Sequence, residues 1–168
     1  IDLTNDTDTR LVIIRPPLIY GPEVGANFLK LITLVRKNYF LPIGSVNNKR
    51  SLLFVGNLVY FIEKCCITNK DLFCPLVLSD PKSLSTKEII NLITKSMNKN
   101  VFIFSFPLFL FKLIGKVFRK EAQIRRLTES LEINPNESYS LLNYSPPFGI
   151  AEGFKITIDW YQKKYNKI

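Results

Sequence analysis

Arg15-Pro16-Pro17-Leu18-Ile19-Tyr20-Gly21-Pro22 follows directly on the apolar run Leu11-Val12-Ile13-Ile14, and this junction decides the fold. An uninterrupted apolar run suits a parallel strand covered on both faces, and residues 11–15 read as such a strand. Two prolines fix φ and remove backbone donors, so the strand ends there, and Gly21 is free to take the positive φ of a shaped loop. In open α/β sheets ligands bind beyond the carboxyl ends of the strands, which makes this loop a candidate binding element. An ordinary tight turn fits the same eight residues.

Downstream, helices and strands alternate. Residues 27–37 carry Phe28, Leu31, Ile32 and Val35 at helical spacing. Residues 51–55 form an apolar strand, Gly56-Asn57 opens a helix reaching about Cys66, and residues 76–78 give a further strand. Ser85-Thr86-Lys87-Glu88 is a capping box, so a helix starts there with Ile89, Ile90 and Ile93 inward. Residues 101–104 read as a buried strand, residues 107–119 as an amphipathic helix begun by Pro107, and residues 130–133 as a short strand. Asn134 then N-caps a helix with Pro135 in its first position, and a last helix from near Gly149 turns Ile150, Phe154, Ile158 and Tyr161 inward. The alternation predicts an α/β chain. It has no leading βαβ unit with a glycine-rich turn, and reads as the second half of a doubly wound protein.

Composition sets bounds on function. The 168 residues are 46% hydrophobic and 12% aromatic, enough for one packed domain, with no repeat and no low-complexity tract. The chain has no histidine, which excludes triads and histidine acid–base chemistry within it, and no cysteine pair has metal-ligand spacing. Cys65, Cys66 and Cys74 suit reduced, buried thiols and a cytoplasmic setting. The net charge of +9 invites a nucleic-acid reading, but the lysines are scattered without basic runs interleaved with aromatics, and no nucleic-acid partner is expected. Residues 1–9 are polar and acidic, unlike a signal peptide. Residues 101–118 are strongly apolar, yet Ser105, Pro107, Lys112, Gly115 and Lys116 interrupt the ~20 apolar residues a spanning helix needs. A helix lying on a bilayer surface is the lesser alternative to a buried one, and membrane association is not expected.

Six stretches, taken in order, carry a resemblance: residues 12–22; Asn27-Phe28-Leu29-Lys30-Leu31; Leu41-Pro42-Ile43-Gly44 with residues 49–58; Leu78-Ser79-Asp80 with the capping box; Arg126-Leu127-Thr128-Glu129-Ser130-Leu131; and Pro146-Pro147-Phe148 with Glu152-Gly153. Together they resemble the extended short-chain dehydrogenase/reductase superfamily, and within it the carboxy-terminal half of the NAD-dependent nucleotide-sugar epimerases and dehydratases. The Arg126-Leu127 context looks most like the bacterial surface-polysaccharide branch acting on UDP-hexoses and UDP-N-acetylhexosamines.

The resemblance implies partial Rossmann-like carboxy-terminal strands plus a small α/β substrate-binding domain across residues 1–168. It implies NAD as cofactor, held mainly by an amino-terminal portion absent from this chain, which would also supply the Tyr-x-x-x-Lys base. A UDP-sugar is the implied substrate, and a separately encoded amino-terminal half or a homo-oligomer the implied partner. No catalytic residue and no metal ligand is assigned to this chain. Pro17, Leu18 and Tyr20 match the loop abutting the nicotinamide end of NAD. Asn27 matches the residue that opens the substrate-domain helix and donates toward the phosphates, and also reads as that helix's N-cap. Leu41, Pro42 and Ile43 match the segment lining the nucleobase slot, and Arg50 and Arg126 the arginines on the diphosphate. Core packing for the apolar residues and surface ion pairing for the arginines remain the alternatives.

The implied chemistry is oxidation of a sugar hydroxyl by NAD, rotation or rearrangement of the keto-sugar, and return of the hydride. A 4-keto reductase of the same branch and a non-catalytic binding remnant share every feature visible in the sequence. Tyr60-Phe61-Ile62-Glu63-Lys64 also spells Tyr-x-x-x-Lys, but it lies where the family has no catalytic residue. The chain departs from the branch at Gly56, Glu129, Asn134 and Asn143-Tyr144. Glu129 would oppose an anionic ligand unless it points away.

Overall fold

The computed structural model describes residues 11–70, 72, 75–119 and 121–165. Along the chain run β1 (Ile14–Arg15), β2 (Leu18–Tyr20), α1 (Ala26–Lys37), β3 (Phe40–Leu41), β4 (Leu52–Phe54), α2 (Val55–Ile67) and β5 (Leu76–Val77). They are followed by α3 (Thr86–Ser96), β6 (Phe102–Ile103), α4 (Leu108–Val117), α5 (Glu121–Thr128), α6 (Asn136–Leu142) and α7 (Ile150–Tyr165). Among the described residues the strands pair in parallel: β1 with β5, β2 with β4 and β3 with β6. The α/β class expected from the alternation is the class observed.

Alternation along β4 divides the interior. Successive strand side chains point to opposite faces. Leu52 and Phe54 accordingly join one core with Tyr20, Phe28, Ile32, Ile90, Phe154 and Ile158, while Leu53 joins a second with Phe61, Leu76, Leu78, Leu142 and Tyr144. Both faces of β4 are therefore covered, and burying each such side chain contributes roughly 1.5–3 kcal/mol. Helix α3 packs against both α1 and α7 over the first core. Two glycines make these contacts possible. Gly21 has φ 151°, which other residues rarely adopt, and a Cβ at Gly153 would come within 2.9 Å of the Tyr20 hydroxyl and the Phe54 ring.

Local signals set several boundaries. The Ser85 hydroxyl accepts from the Glu88 N–H while the Glu88 carboxylate accepts from the Ser85 N–H, so the expected capping box begins α3. Pro135, not Asn134, stands at the N-cap of α6 and so is not its first helical residue; Asn134 Oδ1 accepts from the Asn136 N–H at 3.1 Å in the turn that leads into the helix. Asn143 ends α6 in the left-handed region with φ 46°, a conformation asparagine tolerates, and Tyr144 then turns into the second core.

Other expectations need correction. Residues 17–20, read as a loop, include strand β2, whose Leu18, Ile19 and Tyr20 pair with β4, and of residues 11–15 only Ile14–Arg15 is strand, with Leu11 49% exposed rather than covered. Gly25, not Asn27, occupies the N-cap of α1, and Asn27 is the second helical residue. Residues 130–133 make only a single bridge, Leu131 to Arg50, because their carbonyls and side chains are drawn into loop contacts rather than a ladder. The strand at residues 101–104 is not buried: β6 pairs with β3 at the rim, leaving Phe102 62% exposed. Cys66 is exposed rather than buried and Cys65 is half-buried, whereas Cys74 lies outside the described residues. Residues 121–128, where the sequence pattern sets no element, form helix α5.

Candidate functional site

Arg50 immediately precedes β4 and is pinned from both sides. Its N–H donates to the Leu84 carbonyl at 2.8 Å and its carbonyl accepts from the Leu84 N–H at 2.9 Å, while the Ser51 N–H reaches the Leu131 carbonyl at 2.8 Å. The guanidinium is directed by a 3.1 Å bond from Nη1 to the Glu129 carbonyl. Beneath it, buried Asn48 fastens three segments. Its amide donates to the Leu127 and Glu129 carbonyls at 3.1 and 3.3 Å, and its Oδ1 accepts from the Thr86 N–H at 2.9 Å. The Thr86 hydroxyl adds a 2.8 Å bond to the Leu127 carbonyl. The start of α3, the end of α5 and the entry to β4 are thereby held as one rigid floor.

Two hollows meet at Arg50. One, of about 390 Å³, has an apolar wall that includes Leu18, Phe28, Leu31, Leu52 and Ile89, and a polar rim of Asn27, Lys30, Arg50 and Thr86. The other, of about 360 Å³, lies between Arg50 and the α5 residues Ala122 and Arg125, bounded by Glu129, Ser130 and Leu131. Volumes of this size fall in the range of small-molecule sites, roughly 300–1,000 Å³. Glu129 does border the second hollow, but its carboxylate accepts from Arg125 Nε at 3.0 Å, so its charge is partly countered there. Helix α1 brings Lys30 to the first hollow and has no acidic residue in its first turn, leaving its positive dipole end unopposed.

The sequence candidates are thus distributed unequally. Asn27, Arg50 and Leu18 converge on one cavity. Arg126 is in α5, whose neighbours Arg125 and Leu127 border the two hollows; its side chain lies outside the described residues. Leu41 and Ile43 point into the first core, and Pro42 between them is half-buried. Pro17 is half-buried, while Tyr20 is 1% exposed. Asn48, Thr86 and Arg125 were not foreseen. Their roles rest on bonds between residues far apart in sequence, for which the letters give no signal.

Tyr20 belongs to a closed polar network. Its hydroxyl donates to Asp80 Oδ2 at 3.0 Å, and the same carboxylate accepts from the Phe54 N–H and, at 2.8 Å, from Asn57 Nδ2. Asn57 in turn bonds both the N–H and the carbonyl of Phe148, and its own carbonyl accepts from the Tyr144 hydroxyl. Burial and the Asp80 carboxylate push the Tyr20 hydroxyl far above the ordinary tyrosine value. Burial also raises Asp80, against the lowering effect of its three donors. Every buried side-chain polar atom among the described residues has a partner, and this network ties the strand ends together within the core. Tyr60 and Lys64, one turn apart on α2, pair differently: the ammonium sits 5.1 Å from the ring centroid, over its face, and the ring packs against Tyr144. Among the described residues no group of histidine, cysteine, aspartate or glutamate could hold a metal ion.

No family model matches the chain. A UDP-glucose 4-epimerase from Vibrio cholerae is 35% identical over 168 residues, covering 99% of this chain and 51% of that protein. The N-acetyl-alpha-D-glucosaminyl-diphospho-ditrans,octacis-undecaprenol 4-epimerase of Escherichia coli O157:H7 is 21% identical, covering 92% of this chain and 50% of that protein. In fold, a crystal structure of UDP-glucuronic acid 4-epimerase from Bacillus cereus in complex with NAD superposes with a TM-score of 0.69 over 97% of this chain and 47% of that one, at 16% identity. The chain spans about half the length of the curated relatives it matches. Over nearly its whole length the chain is thus similar to about half of each of these 4-epimerases, and it shares the fold of the matching portion of the Bacillus cereus structure.

Proposed function

We propose that the chain is the substrate-binding portion of a cytoplasmic NAD-dependent 4-epimerase acting on a UDP-hexose or UDP-N-acetylhexosamine. The observation that carries this reading is the placement of Arg50 where a largely apolar cavity meets a cationic one, with Asn27 on the rim of the first. A guanidinium offers paired N–H donors that match a diphosphate, and a desolvating apolar wall strengthens the contact. The apolar cavity accommodates the nucleoside, and the side bordered by Arg125 takes the phosphates. Leu41 and Ile43 would shape the nucleobase slot from the core side, through backbone position rather than side-chain contact.

NAD, when bound, supplies the hydride acceptor. Pro17 and Leu18, at the start of β2, would be this chain's contacts to it, whereas Tyr20, spent on Asp80, would support that strand from beneath. The chain's own residues bind and orient the sugar nucleotide. General acid–base catalysis, typically about 10²–10⁴-fold, would come from a Tyr-x-x-x-Lys pair that this chain does not supply.

The test is calorimetric titration with UDP, UMP, UDP-glucose, UDP-N-acetylglucosamine and a short-chain polyprenyl-diphospho-N-acetylglucosamine. The last ligand is included because one relative acts on an undecaprenol-linked sugar. The expected order places UDP and the UDP-sugars well ahead of UMP. Equal affinity for UMP and UDP would contradict a diphosphate site, and preference for the polyprenyl ligand would move the substrate class to lipid-linked sugars.

A further inference from the structure

Residues 99–120 contain Lys99, Lys112, Lys116, Arg119 and Lys120 and no acidic residue, interleaved with Phe, Leu, Ile and Val. A face of this kind would ordinarily be buried, and here it is not. Helix α4 turns Gly115 toward α5, where a Cβ would meet Ile124 at 2.8 Å. The residues at four-residue spacing on its other side, Phe109, Leu113 and Val117, are 68%, 55% and 68% exposed. Phe118 follows at 66%, with Lys116 and Arg119 exposed beside it. Phe102, shortly before α4 in the chain, stacks edge to face with Phe40 on the rim pair β3–β6, and the two rings are 62% and 68% exposed. Among the described residues no helix is long and apolar enough to cross a membrane.

From this we infer that α4 and the β3–β6 rim form a docking surface for an anionic lipid bilayer. Aromatic and aliphatic side chains on one side of a short helix, beside exposed cations, are the elements of an interfacial helix: the apolar side chains enter the boundary between headgroups and acyl chains, and Lys116 and Arg119 meet the anionic headgroups. Charge complementarity selects the occupant. A protein partner or second copy of this basic chain would have to cover the same cations, whereas anionic lipid neutralises them. The surface is separate from the Arg50 hollows, and the inference stands whichever sugar the site takes.

Co-sedimentation of the chain with vesicles of phosphatidylcholine alone, or mixed with phosphatidylglycerol, tests it. The anionic vesicles are expected to retain the chain, with retention falling as salt is raised. Phe109→Ser/Leu113→Ser should abolish binding, and Lys116→Ala/Arg119→Ala should weaken it roughly tenfold or more. Because these side chains are exposed, circular dichroism of each variant should match the parent. Val59→Ser/Ile62→Ser, on the exposed apolar side of α2, serves as the control for general stickiness and should bind as the parent does. Absence of binding, equal retention on neutral vesicles, or equal loss in the α2 control would overturn the inference. So would an α4 variant that changes oligomeric state by gel filtration while binding vesicles unchanged, which would assign the face to a second copy.

Discussion

Strands β4 and β6 have nearly interchangeable sequences, Leu52-Leu53-Phe54 and Phe102-Ile103, and opposite fates. Each pairs in parallel with a strand earlier in the chain, β4 with β2 and β6 with β3. The three residues of β4 are buried, divided between two cores, whereas β6 lies on the rim with one ring facing out. An apolar run specifies that a segment should lose water, but it does not specify what removes it. For β4 the covering elements are α2, α3 and α7 of the same chain, whereas β6 pairs with β3 and packs Ile103 against the first core while its other face, with Phe102, stays open.

Truncation should separate the two strands most sharply. Phe54→Ala is expected to cost about 3–5 kcal/mol in urea unfolding, because it opens a cavity among rings that cannot collapse into it, while Phe102→Ala should stay within about 0.5 kcal/mol. Similar losses at both positions would erase the distinction between a covered and an open strand.

Beneath β4, Asp80→Ala would strand the Tyr20 hydroxyl, the Phe54 N–H and the Asn57 amide, and should cost on the order of 3 kcal/mol. The same group sets a pH dependence. Burial raises the Asp80 carboxyl above its ordinary 3.8, so the folded chain holds that proton more tightly than the unfolded one. Its contribution to stability therefore falls as pH rises from 3.8 through the folded value. Glu88 acts in the opposite sense. The Ser85 N–H and Lys82 hold it at about 2, so its stabilisation is complete above the ordinary 4.5 and is lost as pH falls toward 2. Unfolding curves of Asp80→Asn and Glu88→Gln between those limits should shift in opposite directions relative to the parent's pH profile, and parallel shifts would show that one of the two environments is misassigned.

A smaller effect is expected near the open cavity. Ala26, at the start of α1 beside Asn27, has φ 50°, a left-handed conformation that costs a non-glycine residue roughly 1 kcal/mol. Ala26→Gly should raise stability by up to about that amount, partly offset by the greater freedom of glycine in the unfolded chain. A clear loss in thermal unfolding would mean that the strain is not relieved there.

What could be read in the sequence follows the range of the forces involved. The capping box of α3, the positive φ at Gly21 and the stripe of α7 depend on residues within a few positions, and each was legible. Helix α5 escaped because Glu121-Ala122-Gln123-Ile124-Arg125-Arg126-Leu127-Thr128 is short and mostly polar, and it packs on α4. Asn48 escaped for a different reason: its bonds reach Thr86 and Leu127, 38 and 79 residues away, and only the fold brings them together. Of the site, Asn27, Leu18 and Arg50 are legible in the sequence and share a cavity, while the core placement of Leu41, in β3, and of Ile43, just after it, depends on a facing that three letters do not set.

The central claim is that Arg50 anchors a diphosphate, and titrating UDP into the parent chain, Arg50→Ala and Arg126→Ala measures it most directly. Hydrogen bonds to a charged group are worth about 1.5–3 kcal/mol each, so loss of Arg50 should weaken UDP binding roughly ten- to a hundredfold, with affinity in the parent falling as salt is raised. Arg126→Ala should weaken binding in the same direction if its side chain joins Arg50. Equal affinities for the parent and Arg50→Ala would contradict the account and leave Arg50 as a structural tie to the Glu129 carbonyl.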